Sequence, residues 1–387
     1  MTLSTVPRES VSSPSGEPIR VMMVDDSSVI RGIVSRWIEA SGEMVLAGVA
    51  LNGSDAVKRA AALRPDIIVL DIEMPEMDGI TALPQLLKTC PQARIIMAST
   101  LTRRNAEISL KALSLGASDY VPKPTSMGGG GAAEDFRREL MTRITALGRR
   151  RKSGPAATGA GPLRGADGVP SAARSGVSGS QAGGRAALQL QKPSSVPAHI
   201  LAIGSSTGGP QALVQVVSAL AGELNVPVMI TQHMPPAFTA ILAESIARSS
   251  GLKCVEAASG MMLERRCVYV APGDHHMTIR GKGGPIELNQ APPENFCRPA
   301  VDPMFRSVAG AYGPLALGVV LTGMGSDGRE GARAIVGAGG TVIAQDEDSS
   351  VVWGMPGAVA HAGLASAIVP LDLISAEIRK FLGLKLR

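Results

Sequence analysis

Two α/β domains, each a parallel sheet wound on both faces by helices, are what this chain predicts, and three observations predict them. Short buried apolar runs alternate with amphipathic stretches twice, over residues 19–150 and again from residue 198. The composition is 45% hydrophobic with only 3% aromatic, the Ala, Val, Ile, Leu and Gly packing of helices on a parallel sheet. A stretch dominated by Gly, Ala, Ser, Pro and Arg separates the two alternations, and 387 residues exceed one ordinary core.

Residues 1–18, rich in Ser and Pro, read as a disordered lead-in. Strands are expected at 19–24, 44–50, 66–71, 94–99 and 119–121. Helices are expected at 28–40, 54–63, 80–89, 105–115 and 134–150. Pro84 should shorten or bend the third helix. Gly128–Gly131 marks a loop before the last helix, and residues 151–197 form a flexible basic linker. The predicted division is therefore a lead-in at 1–18, a first domain at 19–150, the linker, and a second domain at 198–387.

In the second domain an apolar strand at 200–204 runs into a glycine-rich turn and a helix at 211–220. A strand at 226–232 and a helix at 238–249 follow. Short apolar pieces at 268–270, 277–279 and 286–288, separated by Gly and Pro, read as small antiparallel hairpins inserted into the fold. The parallel pattern returns with a helix at 302–311, a strand at 315–321, a helix to 336, a strand at 341–344 and a closing helix at 371–382.

The formal charge of +5 does not make a nucleic-acid-binding face. Eight basic residues between Arg149 and Lys192 stand against Asp167 alone, so the rest of the chain is slightly acidic. The four cysteines are scattered with no C-x-x-C pair, against both a zinc site and a disulfide framework and in keeping with a reducing cytoplasm. No run of about 18 apolar residues occurs, and the polar start lacks the apolar core of a signal peptide, so no membrane insertion is expected.

Function in such sheets collects at the carboxyl ends of the strands. In the first domain Asp25, Asp26 and Asp71 stand there, three carboxylates that repel one another unless a hard cation such as magnesium lies between them. Ser99 and Lys123 add a hydroxyl and a positive charge to the same rim, a set suited to accepting a phosphoryl group on a carboxylate.

In the second domain Gly204, Ser206 and Gly208 fit the G-x-S-x-G pattern that pushes a hydroxyl out at a strand-to-helix turn. A helix cap or a phosphate-binding turn would use the same residues. His233 and Asp327 each follow another strand at its carboxyl end, so three loops supply the members of a hydrolytic triad. Ser205 is a rival nucleophile, and Asp327 is also a candidate helix N-cap. The run Asp274, His275 and His276 invites a metal reading but lacks a third spaced ligand, and His361 reads as structural. With His233 as base, activity is expected to fall below about pH 6 to 7.

At these residues the first domain resembles the response-regulator receiver family: Asp25-Asp26-Ser27, Asp71 with Met74-Pro75 and Asp78-Gly79, Ser99, and Tyr120 with Lys123-Pro124 fall in its order. The resemblance implies that Asp71 is the phosphoacceptor and that Asp25, Asp26 and Asp71 hold magnesium with the Glu73 backbone carbonyl. It further implies that Ser99 and Tyr120 are the switch pair and that Lys123 touches the phosphoryl group.

The stretches around Ser206, His233-Met234-Pro235-Pro236, Tyr269 to His275, Arg298 to Asp302, and Thr322 to Gly328 resemble the catalytic domain of the chemotaxis protein-glutamate methylesterases. That resemblance implies a Rossmann-like second domain with Ser206, His233 and Asp327 as the triad and Thr207 and Met324 lining the oxyanion region. It implies hydrolysis of γ-methyl glutamate esters on chemoreceptor cytoplasmic helices and deamidation of receptor glutamines, with no cofactor at the esterase site. A chemotaxis-type histidine kinase would be the phosphodonor. A binding module without hydrolase activity, or an esterase on another receptor, are the alternatives. Ser205 stands where many relatives carry Ala, and the linker is longer than the family leads one to expect.

Overall fold

The computed structural model describes residues 17–124, 131–153 and 188–384. All but the last two residues of the lead-in expected at 1–18, and most of the expected linker, lie outside them. Five parallel strands form the first sheet in the order β2-β1-β3-β4-β5: β1 (Ile19–Val24), β2 (Met44–Ala50), β3 (Ile67–Asp71), β4 (Arg94–Thr100) and β5 (Asp119–Lys123). Helices α1 (Ser28–Ala40), α2 (Gly53–Leu63), α3 (Gly79–Thr89), α4 (Arg103–Ser114) and α5 (Gly131–Ser153) cover it. β3 is buried along its whole length, as the middle of a sheet covered on both faces requires. α3 continues through Pro84, which lies on the exposed face.

Gly79 shows why a small residue opens α3. A Cβ there would stand 2.0 Å from the Asp71 carbonyl oxygen, while Asp78 caps the helix by accepting from the Thr81 amide at 2.7 Å. The Asp78-Gly79 pair thus lets the helix start close beneath the end of β3, where Asp71 stands.

The second sheet has seven parallel strands in the order β14-β13-β12-β6-β7-β9-β8. They are β6 (Ile200–Ser205), β7 (Val228–Gln232), β8 (Lys253–Glu256), β9 (Cys267–Val270), β12 (Ala316–Val320), β13 (Thr341–Gln345) and β14 (Ala367–Val369). Around it lie α6 (Gly209–Leu220), α7 (Pro236–Ser250), α8 (Val301–Tyr312), α9 (Arg329–Gly337), α10 (Met355–His361) and α11 (Leu371–Phe381). The expected antiparallel insertion reduces to one pair, β10 (His276–Ile279) with β11 (Ile286–Asn289). The piece expected as a hairpin at 268–270 instead joins the parallel sheet between β7 and β8. All four residues of β9 are buried, which suits a strand covered on both faces rather than a half-exposed hairpin.

Two boundaries differ from the sequence reading. α5 runs to Ser153, and the end of the expected linker is fastened to the second domain. The Gln191 amide donates to the Ala365 carbonyl at 2.8 Å, and the Ser194 amide to the Thr341 hydroxyl at 2.9 Å.

The two domains share their hydrophobic cores. One cluster runs from Ala106 and Tyr120 to Leu213 and Phe238, and the Tyr120 and Phe238 rings stack with centroids 4.5 Å apart. A second joins Phe136, Leu140 and Ile144 of α5 to Val352, with Val351 and Met324 packed against it.

Candidate functional site

Two clusters of polar side chains stand at the carboxyl ends of the two sheets. In the first, Asp25 and Asp71 are buried and Asp26 is exposed, and one carboxylate oxygen from each lies within 4.8 Å of the others. Among the described residues this is the one group of three or more His, Cys, Asp or Glu close enough to share a metal ion. The Lys123 ammonium bonds Asp71 at 2.6 Å and Asp25 at 3.0 Å. Burial pushes the Asp71 carboxyl up to about 6; Lys123 works against that rise and the Asp25 charge adds to it. Glu73 lines the same cavity. The Ser99 and Ser109 hydroxyls bond each other at 3.0 Å, and Tyr120 is turned toward Phe238, so Ser99 and Tyr120 point to separate neighbours.

The second cluster begins at the turn between β6 and α6. Gly208 takes a left-handed φ of 75°, and a Cβ on Gly209 would stand 2.0 Å from the Gln232 side-chain oxygen, so this turn admits only glycine at its tightest point. The Ser206 amide donates to the Thr322 carbonyl at 3.0 Å, and Gln232 Nε2 donates to the Ser206 carbonyl at 2.9 Å. These bonds hold the serine backbone while its side chain lines a cavity of about 440 Å³ with His233 and Met324. Ser205, the rival, is fully buried and donates to Gln232 Oε1 at 2.7 Å, which turns its hydroxyl away from that cavity.

Asp327 is the most heavily bonded side chain here. Its Oδ2 meets His233 Nε2 at 2.7 Å and accepts from the Val301 amide at 2.6 Å. Oδ1 accepts from the Asp302 amide at 3.0 Å, the Gly328 amide at 2.9 Å and Asn295 Nδ2 at 3.1 Å. It therefore does cap a helix, but α8 rather than the α9 that follows it in sequence, and the first-turn amides of α8 favour its charge. Burial alone would raise its pKa; His233 and the Val301 and Asp302 amides outweigh that and lower it. Asp302, buried and facing the Asp327 charge, is pushed up to about 6.

Burial works against a charge on His233, but Cys297 and Asp327 outweigh it and raise the imidazole to about 10. Cys297 Sγ lies 3.4 Å from His233 Nδ1.

The first domain forms the opposite wall of the cavity, with Asp135, Arg138, Glu139, Thr142 and Arg143 of α5. Thr207 is buried and donates its hydroxyl to Asp119 Oδ2 at 2.8 Å, the oxygen that also takes Arg143 Nη1 at 2.6 Å. The backbone N–H groups of Thr207 and Met324 have no hydrogen-bond partner among the described residues.

The Asp274, His275 and His276 run does not form a metal centre. Asp274 pairs with Arg298 at 2.6 Å, and both His276 ring nitrogens meet the backbone, at Pro292 and Ala300. Sequence reasoning missed Asn295, Cys297, Asp119 and Arg143, and it gave Asp302, the end of one resembling stretch, no role of its own. Only Asp302, an acid in the first turn of α8, carried a visible signal.

The description "CheB methylesterase" matches residues 201–378, and "Response regulator receiver domain" matches residues 21–129. A protein-glutamate methylesterase/protein-glutamine glutaminase of Paramagnetospirillum magneticum is 50% identical over 374 residues, covering 95% of this chain and 97% of its own. One from Rhodopseudomonas palustris strain BisB5 is 50% identical over 390 residues, 99% of each chain. The crystal structure of the Thermotoga maritima CheB methylesterase catalytic domain shares 38% identity and a TM-score of 0.46, over 48% of this chain and 99% of that one.

Proposed function

The chain belongs to the family of receiver-regulated protein-glutamate methylesterase/protein-glutamine glutaminases, and we propose that within it Ser206, His233 and Asp327 carry out the hydrolysis. The enzyme cleaves glutamate methyl esters and deamidates glutamines in chemotactic adaptation. The observation that carries the residue assignment is Asp327 Oδ2 at 2.7 Å from His233 Nε2, in a cavity that also holds the Ser206 side chain.

Because Nε2 is committed to Asp327, His233 Nδ1 is the nitrogen that takes the Ser206 proton as Oγ attacks the γ-carbonyl of the substrate. Asp327 fixes the tautomer and stabilises the imidazolium. The free N–H groups of Thr207 and Met324 are the donors for the developing oxyanion. The protonated Nδ1 then passes its proton to the leaving methanol or ammonia, and water attacks the acyl-serine by the reverse route. Substrates are γ-methyl glutamyl and glutaminyl side chains on the cytoplasmic helices of chemoreceptors, which puts the enzyme in the cytoplasm. Among the described residues no helix is long and apolar enough to cross a membrane.

The receiver governs this site. We assign Asp71 as phosphoacceptor, with Lys123 as its cationic partner and a histidine kinase of the chemotaxis type as donor. The carboxylates of Asp25, Asp26 and Asp71, with the Glu73 carbonyl, suit a magnesium ion, because one Lys123 charge does not balance three acids. When bound, the ion neutralises charge on the incoming phosphoryl group. As it stands, α5 walls off the cavity, so phosphorylation has to shift the docked arrangement toward an open one.

Methanol release from methylated receptor membranes, measured for wild type, Ser206→Ala and Asp71→Asn with and without a small-molecule phosphodonor and magnesium, tests both assignments. Ser206→Ala should lose about 10⁴-fold or more. Asp71→Asn should lose the stimulation by phosphodonor. Activity in Ser206→Ala, or full stimulation in Asp71→Asn, would sink the corresponding assignment.

A further inference from the structure

The turn Glu294–Cys297 is unusual in its backbone and in its position. The Cys297 amide donates to the Glu294 carbonyl at 2.8 Å and the Glu294 amide returns to the Cys297 carbonyl at 3.1 Å. Between them Asn295 and Phe296 both take left-handed backbones, at φ 50° and 62°. Asn tolerates that region, whereas Phe is held there at a cost. The turn is fastened to the site itself, because Asn295 Nδ2 donates both to Asp327 Oδ1 at 3.1 Å and to Asp302 Oδ2 at 3.0 Å. Phe296 is consequently left outside, 91% exposed, and Cys297 is directed inward, half-buried, onto His233 Nδ1.

Nδ1 is the nitrogen that the triad reading needs for Ser206. We propose that Cys297 is a positioning residue for the general base: its thiol occupies His233 Nδ1 in the docked enzyme and must yield that nitrogen to Ser206 before turnover. The inference rests on the triad reading above. With Sγ 3.4 Å from Nδ1, the base is engaged as well as covered. The rise of His233 to about 10, to which Cys297 contributes, agrees with this. The other titratable or charged groups around the ring are Asp327 at Nε2, Asp302 behind Asn295, Arg298 beside Cys297, and Asp135, Arg138, Glu139 and Arg143 of α5 across the cavity.

The test is the pH profile of kcat/KM for methanol release by the full-length chain, for wild type, Cys297→Ala, Cys297→Ser and Ser206→Ala. Removing the thiol should move the acid limb to lower pH by about one unit, which raises the rate on that limb by roughly tenfold. Cys297→Ser keeps a hydrogen bond without the thiol; its limb should move with that of Cys297→Ala while its KM stays with wild type. A limb that stays at the wild-type pH in both variants, with Ser206→Ala inactive, overturns the role of Cys297 and leaves the triad standing. Activity in Ser206→Ala instead removes the triad reading, and the proposal with it.

A second measurement does not depend on the Cys297 variants folding. Alkylation of Cys297 by iodoacetamide, followed by mass spectrometry at neutral pH, should slow by about tenfold in His233→Gln, because the thiol loses the imidazole that stands beside it. Equal rates would overturn the proposal.

Discussion

The two carboxylate sites of this protein sit at the same place in two similar sheets and are built in opposite ways. Asp327 accepts hydrogen bonds from three backbone amides, one side-chain amide and an imidazole, so both its oxygens are committed and its pKa is lowered. Asp71 is crowded by a second buried acid, and Lys123 offsets only part of the burial, so its pKa rises to about 6. The carboxylate of the proposed triad is held as it is; the receiver carboxylate is left under-solvated and open to reaction. A fixed orienting group requires saturation with donors, whereas a switch requires charge that a cation or a phosphoryl group can still rearrange.

The most damaging way to probe that contrast is Asp327→Asn, which replaces an acceptor by a group that presents N–H bonds to the α8 amides. Hydrolysis should fall by about 10⁴-fold, as the imidazole loses its tautomer partner. Stability should drop by roughly 1–3 kcal/mol from the buried donors left facing one another. A folded variant with more than a tenth of wild-type activity would mean that Asp327 is structural only.

Phe238→Ala tests how firmly the two sites are joined. The Tyr120 stack is lost, and at about 0.5–1.5 kcal/mol for such a pair beyond its buried area, the basal esterase rate should rise by a few-fold to about tenfold without phosphodonor. An unchanged basal rate in a folded variant would show that docking does not depend on that stack.

The smallest effect is expected from pH at the receiver. A carboxyl raised to about 6 is protonated below that pH and cannot attack a phosphodonor, so Asp71 phosphorylation should hold above pH 6 and decline as pH falls through it. Saturating magnesium, which favours the carboxylate, should move the midpoint lower. A rate of phosphorylation that is flat from about pH 7 down to about pH 5, with or without magnesium, would contradict the crowded description of Asp71.

Much of this was legible in the chain because parallel sheets announce themselves locally. Buried apolar runs that end at or just before Asp25, Asp71, Ser206 and His233 put those residues at strand ends from the sequence alone. β9 was misread because its four buried residues are too short a run to declare a partner, and the Gly and Pro around them favoured a hairpin. Ser205 stayed a rival for Ser206 until Gln232, on a neighbouring strand, was seen to take its hydroxyl. Cys297 and Asn295 were invisible for a different reason. Their importance lies in contacts across 64 and 32 residues of sequence, to His233 and Asp327, and no spacing rule reaches that far.

β5 deserves a last consideration. Its final residue, Lys123, pairs with Asp71, and its first, Asp119, takes the hydroxyl of Thr207, the neighbour of Ser206. Five residues of extended chain span only about 13 Å, and Tyr120 lies between the two ends against Phe238. A message sent along such a rod passes through space between the folded domains and not along the covalent connection that joins them. Shortening the chain between α5 and Leu188 should then leave the response to phosphodonor in place, because the contacts that join the two sites lie elsewhere.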